Sequence, residues 1–117
     1  MLENELQGID EFPLTSASAK KVINELASNH TSRVFIGSHA RERMEQRGVT
    51  RMQIFQVLFQ VLGNKHSRIT EAPHQTPRGD WKCNLQGMAA GEIVEVVVSL
   101  KRHEDDPSAF VVTVMVK

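Results

Sequence analysis

Apolar positions recur along this chain with two periods, and the change near residue 64 separates a helical half from a strand half. Ala19, Val22, Ile23, Leu26 and Ala27 follow the i, i+3, i+4, i+7, i+8 stripe of an amphipathic helix, which Thr15 or Ser16 can cap and which ends near Asn29. Residues 33–36 read as a short strand broken by Gly37. Ser38 then caps a second helix, which Gly48 can end in a left-handed conformation. Thr50-Arg51-Met52-Gln53 is a capping box: a Thr hydroxyl accepts from the third amide while the Gln side chain reaches back. It predicts a third helix with Ile54, Val57, Leu58, Val61 and Leu62 as its buried stripe, widened by Phe55 and Phe59 and stopped by Gly63.

Beyond residue 64 the period is two, which predicts strands near residues 68–70, 81–86, 92–100 and 110–117. Residues 87–91 suit a tight hairpin, and residues 101–108, with Pro107, a more exposed connection. Strands joined so closely should be antiparallel. In residues 92–100, Val94, Val96, Val98 and Leu100 fall on one face, expected to meet the helices. Residues 110–116 repeat this alternation with Thr113 and Lys117 on the alternate face, so Glu95, Ser99 and Thr113 interrupt a surface opposite the main core. The expectation is an α+β domain with helices packed on a twisted antiparallel β-sheet of three to five strands. Residues 1–14 form an N-terminal arm and residues 15–117 a single domain.

A chain of 117 residues is long enough for one domain with its own core and too short for two ordinary ones. The single cysteine, Cys83, excludes an internal disulfide framework, and the apolar runs are far shorter than a membrane span. The first five residues are acidic where a secretory signal would be basic and then apolar, so the expected location is a reducing cytoplasm, away from membranes. The net charge of zero is unevenly distributed. Residues 1–32 carry two Lys/Arg against five Asp/Glu, residues 33–82 nine against four, and residues 83–117 three against five. Any anionic partner belongs on the basic centre.

The chemistry of that centre is concentrated in the second helix. His39, Arg43 and Arg47 stand at i, i+4 and i+8 and make a cationic ridge, with Ala40 and Met44 as an apolar strip beside it for docking. Guanidinium forks hold phosphate oxygens, and an imidazole changes charge near neutral pH. On the strand at residues 81–86, Lys82 points away from Trp81. That makes Lys82 the better ligand candidate and Trp81 a core anchor.

The string His39-Ala40-x-x-Arg43-Met44-x-x-Arg47-Gly48-Val49, followed by the Thr50-capped helix and strands ending in Val111-Val112-Thr113-Val114, resembles a widespread family of small bacterial domains of unknown function. Those domains look like relatives of the RelE, ParE and BrnT toxins, whose fold also includes barnase-like and colicin-type ribonucleases. The resemblance covers residues 33–117. It implies a toxin-type protein, a metal-independent endoribonuclease or translation inhibitor, acting on RNA or the ribosome and held by an acidic antitoxin-like protein. On that reading His39 and Arg43 are catalytic, and Arg47, Lys82 and Thr113 bind substrate. His39 would move the proton, the arginines would stabilise the phosphorane, and Glu95, Lys82, His66 or His74 would supply the second acid or base.

A plainer reading stays open for each residue. His39 can donate to a backbone carbonyl at a helix start, Arg43 can pair with Glu95 to hold helix to sheet, and Arg47 can favour the negative end of its helix. Overall neutrality and the absence of tyrosine favour a non-catalytic protein- or nucleic-acid-binding module on the same fold. His66, His74 and Cys83 lack the paired spacing of a zinc site, and no glycine-rich phosphate loop is present, so neither metal nor cofactor is expected.

Overall fold

The computed structural model describes residues 15–63, 67–101 and 108–117. The expected arm, His66 and most of the connection after Lys101 lie outside these. The element order is α1 (Ser16–Asn29), β1 (Val34–Ile36), α2 (Ser38–Arg47), α3 (Arg51–Gln60), β2 (Ser67–Gln75), β3 (Trp81–Ala89), β4 (Glu92–Lys101) and β5 (Ser108–Val116). The five strands form one sheet in the order β1-β5-β4-β3-β2. The fold is α+β, but the sheet is mixed: β2, β3, β4 and β5 are antiparallel neighbours, whereas β1 pairs with β5 in parallel. Short connections predict antiparallel neighbours, but β1 pairs with a strand more than seventy residues away in sequence, where no hairpin sets the direction.

Local chemistry sets the helix ends. Thr15 caps α1 by accepting from the Ser18 amide. The Thr50 hydroxyl accepts from the Gln53 amide and the Gln53 side chain accepts from the Thr50 amide, completing the capping box of α3. Gln53 does more than cap. It is buried, and its Nε2 donates to the carbonyl of Ala89 at 3.1 Å, tying the start of α3 to the β3–β4 turn. Gln53→Ala removes both the reciprocal cap and the buried side-chain bond to the β3–β4 turn, so urea denaturation should show a loss of about 1–3 kcal/mol.

The core lies between one face of the sheet and helices α1 and α3. Ile23 and Leu26 from α1, Ile54, Val57, Leu58 and Val61 from α3 and its following turn, and Leu85, Val94, Val96, Val98 and Leu100 from the sheet are almost fully buried. Leu62 and Phe59 depart from expectation, being 46% and 56% exposed. The α-helix ends at Gln60 and tightens into a 3-10 turn over Val61–Gly63, so Leu62 no longer continues the buried stripe. The β3–β4 hairpin is tighter than residues 87–91 suggested. Strand pairing runs to Ala89↔Glu92, and Ala90 and Gly91 both take positive φ (52° and 82°), as a two-residue hairpin of matching twist requires. The long edge strand β2 contains Pro73 and two register irregularities, features that discourage further strand addition.

Candidate functional site

Helix α2 leaves the end of β1 and packs on β5, with Ala40 fully buried and Met44 half-buried against the common core. Ser38 is not its cap. It is already the first helical residue, and Gly37, without a side-chain bond, occupies the cap position while its carbonyl accepts from the Arg41 amide at 2.9 Å. At the other end Gly48 adopts φ 70°, and the Val49 amide returns to the Met44 carbonyl at 2.9 Å. Buried Val49 completes this stop, whose left-handed residue favours glycine.

Along α2, His39 and Arg47 are exposed and Arg43 is half-buried beside the docking strip. Arg43 does not reach Glu95: its guanidinium donates to Gln46 Oε1 at 3.3 Å, within the same helix. Glu95 has other partners. Its Oε2 accepts from Asn84 Nδ2 at 3.1 Å, and its Oε1 lies 3.0 Å from Lys117 Nζ. Among the described residues Arg41, Arg43 and Arg47 form no ion pair, although Glu42 and Glu45 share their helix. Nor does the His39 imidazole make a hydrogen bond to a described residue.

The other candidates lie on the second face of the sheet, opposite α1 and α3. Lys82 is half-buried there, in register with Ser99 on one side and His74 on the other, while Trp81 is buried in the core as expected. Thr113 lies in register with Val97, also half-buried. A bulge at Val112 changes the parity of β5: Ala109, Val111 and Val114 enter the core, whereas Phe110 and Thr113, which strict alternation separates, share the second face. Glu95 and Ser99 interrupt that face, as the alternation indicated, and are largely buried. His74 is exposed on the edge strand, with Nδ1 3.8 Å from Glu71 Oε2. The structure therefore brings together the ridge of α2, and separately the Lys82–Ser99 and Thr113–Val97 pairs; no described hydrogen bond or ion pair links His39 to a second proton-transfer group.

Cys83 faces the core, where desolvation, followed by the negative charge of Glu71, pushes its thiol up to about 12. It remains a protonated packing group rather than a nucleophile. Among the described residues no three His, Cys, Asp or Glu side chains converge as a metal site requires, and no helix is long and apolar enough to cross a membrane.

These features define an α+β domain in which a mixed five-stranded sheet carries two core helices and one arginine-bearing surface helix. Residues 36–116 match the model of a domain of unknown function (DUF4258), and the chain belongs to that family. No curated protein and no solved structure gives a significant match.

Proposed function

We propose that this domain binds the phosphate backbone of RNA through α2, in the manner of a translation-inhibiting, toxin-type protein acting in the cytoplasm. The supporting observation is the arginine set of α2: Arg43 and Arg47 lie on one flank of an accessible helix, with no carboxylate partner among the described residues. Arginines that merely fasten a helix to its sheet would be expected to meet an acidic residue, and Glu95, the expected one, is engaged by Asn84 and Lys117. Planar guanidinium forks without such a partner suit phosphate oxygens. Lys82 and Thr113 would extend the contact onto the sheet, and an acidic protein would compete for the same cations. The experiment is binding of single-stranded RNA to the wild type and to Arg43→Ala and Arg47→Ala variants, with circular dichroism to verify the fold.

Cleavage is the second reading, favoured by exposed His39 one helical turn from Arg43. It requires His39 to exchange a proton with the 2′-hydroxyl or the leaving 5′-oxygen while the arginines stabilise the phosphorane. On this reading His39→Ala lowers the cleavage rate roughly 10²- to 10⁴-fold with binding retained. Absence of wild-type cleavage of RNA or ribosome-bound messenger, with binding intact, leaves the binding reading alone.

A further inference from the structure

The cross-strand register brings to the start of α2 a pair of aromatic residues from distant parts of the sequence. Phe35 on β1 is in register with Phe110 on β5, so both rings project from the second face of the sheet. They remain 50% and 36% exposed, whereas Val34 and Ala109 beside them are buried in the core. A side chain at Gly37 would collide with the Phe110 ring, since an added Cβ would lie 2.7 Å from Phe110 Cζ. The ring therefore sits directly against the backbone at the residue that opens the cationic helix, and the Gly37 amide is fixed to the Val111 carbonyl at 3.2 Å.

One cation borders Phe110, and a second lies two strands further along the same face. Lys101 Nζ lies 5.8 Å from the Phe110 ring centroid and also pairs with Asp80 at 3.4 Å. The row continues from Phe110 through Ser99 to Lys82, which has no ion pair among the described residues. Exposed aromatic rings bordered by basic side chains are the arrangement that holds single-stranded nucleic acid: every base has a π-face to stack, and the backbone follows the positive groups.

Building on the RNA reading above, we propose that Phe35 and Phe110 form a base-stacking platform for single-stranded RNA, its phosphates running between Lys82 and the ridge of α2. This supplies from phenylalanine the stacking surface that a chain without tyrosine lacks. It also demands an unpaired strand, because bases stacked inside a duplex cannot reach the rings.

The test uses a fluorescein-labelled oligoadenylate of about ten nucleotides, the length range of one such surface, both alone and annealed to its complement. The wild type binds the single strand more tightly than the duplex. Phe110→Leu and Phe35→Ala each weaken single-strand binding roughly 5- to 150-fold and leave the salt dependence unchanged, because no charge is removed. Phe110→Leu retains an apolar residue against Gly37, and Phe35 is half-exposed, so unchanged circular dichroism and unfolding midpoints accompany the loss. Wild-type affinity in both variants, or preference for the duplex, overturns the platform. If the arginine variants lose binding while both phenylalanine variants keep it, the platform alone fails; if the wild type binds no RNA at low salt, the RNA reading fails with it.

Discussion

Leu58→Ala is expected to destabilise the domain by about 2–5 kcal/mol, and Leu62→Ala to change it by less than about 0.5 kcal/mol. Sequence spacing places both leucines on one apolar stripe. In the structure Leu58 is fully buried on α3 among core residues, and truncation would leave a cavity that a close-packed sheet cannot fill by relaxing. Leu62 is 46% exposed and loses little when truncated. For a domain of this size the larger loss lowers the melting temperature by roughly 8–20 °C. Leu58→Met, which conserves volume, should cost less than about 1.5 kcal/mol. Equal effects at positions 58 and 62 in thermal and urea unfolding would show that the stripe continues through the 3-10 turn.

Much of the fold is legible in the sequence because it depends on neighbours in the chain. The Thr50–Gln53 capping box, the Gly48 stop and the alternation of β3 all involve residues within a few positions of one another. What escapes is set by distant partners. The parallel pairing of β1 with β5 has no local signature, and the bulge at Val112 is visible only once β5 is aligned with β4. The early end of the α3 helix also follows from packing, because the apolar spacing through Leu62 is that of an uninterrupted helix.

The candidate site divides in the same way. Helical spacing alone placed His39, Arg43 and Arg47 along one flank, and strand parity alone placed Lys82 opposite Trp81. The fate of Glu95 depended on tertiary structure: Asn84 comes from the adjoining strand and Lys117 from the chain end, and together they occupy the carboxylate that Arg43 was expected to meet. The aromatic pair was missed for the same reason. Phe35 lies within a short strand and Phe110 at the start of the last one, and nothing within either segment predicts that the two residues are cross-strand neighbours.

The second large effect concerns the ridge. Arg43→Ala combined with Arg47→Ala should weaken single-stranded RNA binding about 100-fold at low salt, taking each lost charged contact as roughly tenfold. Neither guanidinium is paired with a carboxylate among the described residues, so the unfolding midpoint should scarcely move. Arg47, in the last turn of α2, also favours the negative helix end, which limits its stability contribution to a few tenths of a kcal/mol at an exposed site. A large drop in stability with RNA affinity unchanged would make both residues structural.

The salt dependence of wild-type RNA affinity tests the central claim most directly. If Arg43, Arg47 and Lys82 each neutralise one phosphate of a single strand, the logarithm of the association constant should fall against the logarithm of salt with a slope near −2, about a 20-fold loss between roughly 50 and 200 mM. The double arginine variant should flatten that slope to about −0.7. Binding that is independent of salt, or no binding at about 50 mM, would contradict RNA phosphate recognition by α2.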